Sequence, residues 1–217
     1  MGSLPSSRTR KGRLIAFEGL DGAGKTTVIN QCLDELNKRG LNAALVLTHG
    51  RYPEYWMPYE DVRKQMMARG RPIQEEEDQI LRAAEFVSYA VTDISASLDK
   101  YDVVITDRYA LGKYVLAKAL SLQSTPTAAE MFLAAVEGGV IPMPDVTIYL
   151  RIAPEAAYER IVARGAVLEV KEELNNLKKA YHLFEDSVSS SIFQGIQVVD
   201  AGAAFDDVVK ASLGKII

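Results

Sequence analysis

The residues best suited to chemistry stand at positions 19–26. Gly19-Leu20-Asp21-Gly22-Ala23-Gly24-Lys25-Thr26 fits the spacing G-x-x-x-x-G-K-[ST]. Glycines let the main chain curl until successive N–H groups point inward at phosphate oxygens. A helix opening at Lys25 aims its positive end at the same anion. Lys25 then reaches the β- and γ-phosphates, and the Thr26 hydroxyl ligates Mg²⁺. A bound nucleoside triphosphate is the strongest single inference from the chain. A second pair, Asp107-Arg108, closes a later apolar run. An acid at that place lies beside the phosphate loop and supports Mg²⁺ or its waters. An arginine at a strand's carboxyl end holds a phosphate bidentately.

Such residues need a scaffold that brings two loops together. Apolar runs of strand length alternate with helical patterns along the chain. Strands are expected at Arg13–Glu18, Asn42–Thr48, Asp102–Thr106, Asp145–Arg151 and Ile196–Val199. Helices are expected at Lys25–Arg39, Glu75–Leu98, Leu111–Leu120, Thr127–Glu137, Pro154–Arg164, Lys171–Ser187 and Ala204–Leu213. Residues 54–70 are mixed, aromatic first and helical later. Short β-branched runs without polar alternation mean strands covered on both faces. Strands separated by helices mean parallel crossovers. The expected fold is α/β, three layers, with a parallel sheet flanked by helices and ligands at the carboxyl ends of its strands.

The chain has 217 residues, and 25 basic against 29 acidic side chains give a net charge of −4, which argues against a general nucleic-acid binder. One cysteine, Cys32, excludes a disulfide scaffold and reads as a small buried apolar group. No apolar stretch is long enough to span a membrane, and residues 1–12 lack the apolar segment of a secretory leader, so a soluble cytoplasmic protein is expected. Residues 1–12 read as a disordered basic arm, followed by one domain over 13–217. Gly2–Ser6 formally fits the myristoylation pattern, with Arg8, Arg10 and Lys11 behind it. His49 and His182 need no role, because a lone histidine carries little signal.

Four blocks together resemble the thymidylate kinase family: Phe17–Thr27 (FEGLDGAGKTT), Asp107–Ala110 (DRYA), Pro144–Gly165 and Val198–Ala201 (VVDA). The resemblance runs over nearly all of residues 13–217. It implies a P-loop nucleoside monophosphate kinase: a five-stranded parallel sheet, a short lid near 165–173, and usually a homodimer. It implies transfer of the ATP γ-phosphoryl group, with Mg²⁺, to a pyrimidine nucleoside monophosphate, dTMP by family default. By the same resemblance, Gly19, Asp21, Gly22, Ala23, Gly24, Lys25, Thr26 and Thr27 face ATP, with Arg164 over the adenine and Asp200-Ala201 along its edge. Arg160 stands one turn earlier, at the phosphates. Thr26 and Asp107 serve the metal. Asp21, Asp107, Arg108 and Tyr109 border the acceptor. Lys25, Asp21, Arg108 and Arg160 are the expected catalytic set.

The chain departs from the family at three places. The helix 75–98 has an expected core seam at Ile80, Ala84, Val87, Val91, Ile94 and Leu98, with Leu81 and Glu85 on an adjoining face. Leu81 and Glu85 stand where the family carries a stacking aromatic and an arginine to the thymine carbonyl. A carboxylate only accepts hydrogen bonds. It suits an exocyclic amino group, as with cytosine, which opens the alternative of a CMP- or dCMP-like acceptor, as in the family's UMP/CMP kinase branch. A surface pair of Glu85 with Arg82 is the competing reading. Secondly, Arg51-Tyr52-Pro53-Glu54-Tyr55 has Tyr55 where an acceptor-phosphate arginine is usual, so Arg51 supplies that cation. Thirdly, Gly22 leaves the phosphate loop without a cation, and the lid has only Lys171. Arg151, Arg160, Arg164 and Lys171 are the candidates to replace it, and Glu169 and Glu172 are candidates for a sugar hydroxyl. A nucleotide-binding protein without turnover is the alternative from another class.

Overall fold

The computed structural model describes residues 11–47, 59–71, 75–120, 127–165, 167–190 and 192–217. Five strands form one wholly parallel sheet: β1 (Arg13–Glu18), β2 (Ala43–Leu45), β3 (Val103–Asp107), β4 (Val146–Arg151) and β5 (Ile196–Asp200). Their spatial order is β2-β3-β1-β4-β5, which puts β1 at the centre. Leu14, Ile15, Ala16 and Phe17 of β1 are wholly buried, as a strand covered on both faces must be. Phe17 pairs with Asp107, so β1 and β3 end side by side. The loop after β1 and the Asp107-Arg108 turn therefore meet.

β2 is shorter than expected. It is an edge strand paired only with β3, and one further bond, Val46 N–H to Ile105 O at 2.8 Å, ends the pairing.

The remaining elements cover the sheet. They are α1 (Lys25–Lys38), α2 (Tyr59–Ala68), α3 (Glu75–Tyr89), α4 (Ser95–Lys100), α5 (Ala110–Leu120), α6 (Thr127–Glu137), α7 (Pro154–Ala163), α8 (Leu174–Val188) and α9 (Phe205–Ile216). Pro154 opens α7, where its missing N–H costs nothing.

The single helix expected over 75–98 is interrupted. A π turn at Ala90–Ile94 joins α3 to α4. The wider turn rotates the two halves against each other. The buried seam consequently runs through Ala83, Phe86, Ala90, Ile94 and Leu98, with Val91 43% exposed. Ile94 and Leu98 match the expectation, whereas Ile80, Ala84 and Val87 are only partly buried. Phe86 anchors the seam edge-on to Tyr109 (5.1 Å between centroids) and to Phe132 (5.5 Å). These contacts lock α3 to the start of α5 and to α6. Cys32 is buried, and burial pushes its thiol up to about 12, so it is an inert apolar group. No helix among the described residues is long and apolar enough to cross a membrane.

Candidate active site

The loop 19–24 curls between β1 and α1 with Gly19, Gly22 and Gly24 in conformations that favour glycine. Gly22 is doubly constrained. Its φ is +83°, and a Cβ there would lie well under 3.0 Å from the Ala157 carbonyl oxygen of α7. No side chain fits at position 22, which explains why this loop carries no cation of its own.

Lys25 bends back over the loop, its Nζ donating to the carbonyls of Gly19 (3.2 Å) and Leu20 (2.9 Å). Burial, then the nearby Arg108, push its ammonium down to about 8 against the pull of Asp21, Asp107 and Glu18. Thr26 Oγ1 donates to Asp107 Oδ2 at 2.8 Å. This pair of oxygens, one on α1 and one at the end of β3, suits Mg²⁺, which takes few protein ligands beside substrate phosphates.

Arg108 is the centre of the second loop. Its φ is +68°, rare for a residue with a side chain. Its Nη1 donates to Gly19 O at 3.0 Å and its Nη2 to Asp21 Oδ1 at 2.6 Å. Burial works against its charge, but Asp21, Glu18 and Asp107 outweigh it and raise the guanidinium further. For Asp21, burial likewise works against the charge, and Arg108, Lys25 and Lys171 overcome it, holding the carboxyl below the ordinary carboxylate range.

Gly19, Asp21, Lys25, Thr26, Asp107 and Arg108, all named from sequence, thus converge at the carboxyl ends of β1 and β3. Ala23 is buried in the loop's turn, its N–H on Leu20 O at 3.2 Å, and Thr27, the third residue of α1, is exposed. Arg160 lies apart and meets the last block: its Nη2 donates to Ala201 O at 3.1 Å. Asp200 Oδ1 accepts from Gly202 N at 2.8 Å and shapes that loop. Arg51, Tyr52, Pro53 and Tyr55 lie outside the described residues.

Tyr109 differs from its expectation at the acceptor. Its side chain turns inward, 1% exposed, with the ring on Phe86 and the hydroxyl donating to Pro142 O at 2.8 Å. Leu81 and Glu85 do sit on the partly buried face of α3, beside the Phe86 seam.

Within the segment expected to be the lid, a 3₁₀ turn stands at Val170–Glu172, with reciprocal caps between Glu169 and Glu172. Of the four candidate cations, Arg151 is forked onto Glu185 (2.9 and 2.8 Å) and Arg164 pairs with Glu172 (3.3 Å). Lys171 alone among them reaches the phosphate loop, 3.6 Å from Asp21 Oδ2 and 3.2 Å from Glu169.

Two residues escaped the sequence reading. Glu18, wholly buried, accepts from Tyr109 N–H at 2.8 Å. Lys113, on the turn of α5 after Tyr109, is pushed down to about 8 by burial and then by Arg108, with Glu85 pulling the other way. A lysine inside a helical pattern reads as solvated, so only the chain's packing reveals it. The one available signal was its spacing, five residues after Arg108.

A model of the thymidylate kinase family matches residues 17–211. The thymidylate kinase of Xanthomonas euvesicatoria pv. vesicatoria (strain 85-10) is 30% identical over 210 residues, covering 95% of this chain and 84% of that protein. The thymidylate kinase of Thermoanaerobacter sp. (strain X514) is 31% identical over 159 residues, 72% of this chain and 73% of that protein. A solved deoxyadenosine kinase from M. mycoides, with dCMP and a flexible dCDP bound, superposes with a TM-score of 0.63 over 94% of this chain and 98% of its own. At 18% identity that likeness bears on the fold alone.

Proposed function

The chain belongs to the thymidylate kinase family and is a nucleoside monophosphate kinase, and from that premise we propose that it transfers the ATP γ-phosphoryl group to the 5′-phosphate of a pyrimidine nucleoside monophosphate, dTMP foremost. The observation that carries this reading is the meeting of Lys25 and Arg108 across Asp21 at the ends of β1 and β3. Phosphoryl transfer passes through a loose, charge-spread transition state, so positioned cations do most of the work. Lys25 leaves its carbonyls for the β- and γ-phosphates. Arg108, oriented by Asp21, holds the acceptor phosphate in line. An acceptor oxygen bonds to the γ-phosphorus as the bond to the bridging oxygen breaks, and ADP leaves with that electron pair. Mg²⁺, when bound at Thr26 and Asp107, supplies neutralising charge to the phosphates.

Lys171 is the reading's candidate for the cation that Gly22 cannot provide, because it already stands at the loop from the lid side. Arg164 and the Asp200-Ala201 loop then border the adenine, and Arg160, one turn before Arg164, serves the phosphates. Glu85 and Lys113 together offer the acceptor base both an acceptor and a donor. Thymine satisfies them with its N3–H and a carbonyl; cytosine satisfies them with its amino group and N3. The presence of Lys113 removes the argument that Glu85 alone excludes a carbonyl base. Glu85 is, however, the specific observation behind a second reading, an aminopyrimidine monophosphate as acceptor.

A panel of dTMP, dUMP, UMP, CMP and dCMP, followed by coupled ADP release, tests both. Turnover highest with dTMP supports the first reading and turnover highest with CMP or dCMP the second. ATP binding without product from any acceptor overturns both. A homodimer follows from the family resemblance, and sedimentation equilibrium of the full chain tests it.

A further inference from the structure

Glu18 is a buried carboxyl group for which the transfer described above has no step. It ends β1, immediately before the phosphate loop. Its Oε1 accepts from the backbone N–H of Tyr109 at 2.8 Å, and the backbone N–H of Gly112 faces the same carboxyl group and favours its ionised form. Both amides belong to the first turn of α5 or the residue before it, where the helix presents positive charge. Gly112 is what admits the carboxyl group, since a Cβ at 112 would fall on Oε2.

Through Tyr109 the group controls Arg108. The left-handed turn at Arg108 is pinned at three points: Arg108 N–H to Phe17 O (2.9 Å), Thr106 Oγ1 to Arg108 O (2.9 Å), and Tyr109 N–H to Glu18. The charged groups facing Glu18 are Arg108 and Lys113 from the α5 side and Lys25 from α1. From β4 and the segment before β5, Thr147, Phe193 and Gln194, none of them charged, line a cavity together with Glu18. The cavity is small, about 10 Å³, the space one water occupies. Oε2 accepts no hydrogen bond from any described residue.

We infer that Glu18 is a positioning residue that trades its negative charge for a proton when phosphates arrive. One proton from solvent binds Oε2 as the anions engage Lys25 and Arg108, while Oε1 keeps its hold on Tyr109 and thus on the turn of Arg108. The driving force is electrostatic. In the free enzyme Lys25 and Arg108 favour the ionised carboxylate against burial; bound phosphates cancel their field, and burial then prevails. Burial already pushes the group up to about 7, so the exchange falls near neutral pH.

The inference rests on the phosphate-site reading, and calorimetry separates the two. ATP with Mg²⁺ is titrated into the full chain at pH 7 in PIPES and in Tris, whose ionisation heats differ. The wild type is expected to bind with buffer-dependent heat, equivalent to uptake of roughly half a proton, because a group near its pKa is about half ionised. Glu18→Gln, which keeps an acceptor for Tyr109, is expected to bind with that uptake cut to the small part that Lys25 and Lys113, mostly protonated already at pH 7, can supply. No binding heat in the wild type overturns the phosphate site and this inference with it. Binding with equal heats in both buffers, or undiminished uptake in Glu18→Gln, overturns this inference alone. Infrared difference spectra of the wild type add a readout that does not depend on the variant folding. A carboxylic-acid C=O band must appear on adding ATP, and its absence overturns the proposal. A purely structural role for Glu18 leaves the proton count the same in the wild type and in Glu18→Gln, and no carboxylic-acid band appears.

Discussion

Gly22→Ala tests the claim that packing, rather than chance, leaves the phosphate loop without a cation. The φ of +83° forces any side-chain-bearing residue into the left-handed region, at about 1–2 kcal/mol. The added Cβ also lies well under 3.0 Å from the Ala157 carbonyl, against ordinary contact at 3.4 Å or more. The obstacle is helix backbone, which cannot swing aside as a flexible side chain does. Overpacking of that kind costs a further ~1–3 kcal/mol. Either α7 moves, and the cost falls on global stability, or the loop uncurls, and it falls on ATP binding. At roughly 2–4 °C per kcal/mol for a chain of this size, the first route lowers Tm by about 5–15 °C. By the second, a loss of about 3 kcal/mol weakens ATP binding on the order of 10²-fold. Thermal unfolding with and without ATP, beside an ATP titration, distinguishes the routes. Gly22→Arg adds a cation but is expected to fail in the same way. Wild-type Tm together with wild-type ATP affinity in Gly22→Ala refutes the argument, as does any rise of kcat in Gly22→Arg.

Lys25→Ala is expected to abolish measurable turnover while circular dichroism stays unchanged; activity retained within tenfold contradicts the phosphate-site assignment. Because Lys25 is pushed down to about 8, kcat/KM for ATP is expected to fall as pH rises through that value, as a pH profile of the free enzyme's parameter would show. Lys171→Met is expected to lower kcat by on the order of 10²–10³ with little change in acceptor KM, and an unchanged kcat removes the lid cation from the mechanism. Glu18 also predicts a stability slope. Its folded pKa, about 7, lies above the ordinary 4.5, so the folded state binds more protons between those values and stability falls as pH rises through them. The slope is worth roughly 3 kcal/mol. Urea unfolding at pH 4.5 and pH 8 is expected to show it in the wild type and not in Glu18→Gln.

The fold was readable where the sequence signal is local. Val103-Val104-Ile105 and Val146–Leu150 are apolar and β-branched enough to give β3 and β4 within a residue, and the glycine run after β1 gave the loop. The π turn at Ala90–Ile94 was not readable, because a 3.6-residue period has no term for an inserted residue. It displaced the expected seam by one position before Ile94 and left it right afterwards. The 3₁₀ turn at Val170–Glu172 escaped for another reason. Its reciprocal Glu169–Glu172 cap uses a glutamate where the familiar signal is Ser or Thr. Gly19, Asp21, Lys25, Thr26, Asp107 and Arg108 came together, since a motif encodes backbone geometry as well as side chains, whereas Tyr109 turned inward and Arg160 met Ala201 instead. Glu18 and Lys113 were missed because burial of a charge is a property of the packed chain. Nothing in FEG or LGK says which faces close over them.

The buried charges of the site follow one logic. Arg108 cannot release its proton, so it anchors the group, and Asp21 beside it stays ionised at any ordinary pH. The groups that can change charge near neutrality are then Glu18, Lys25 and Lys113, each moved by burial toward 7 or 8. Added phosphate charge moves all three the same way, toward the protonated form. Substrates therefore meet a fixed arginine and carboxylate that set geometry, surrounded by groups that adjust charge to the load. Had the anchor been a lysine, its charge would have shifted with the others, and the acceptor phosphate would lose its fixed reference. Arg108→Lys keeps the formal charge but loses both the fork and the anchor, so its acceptor KM should rise and become pH-dependent above neutrality.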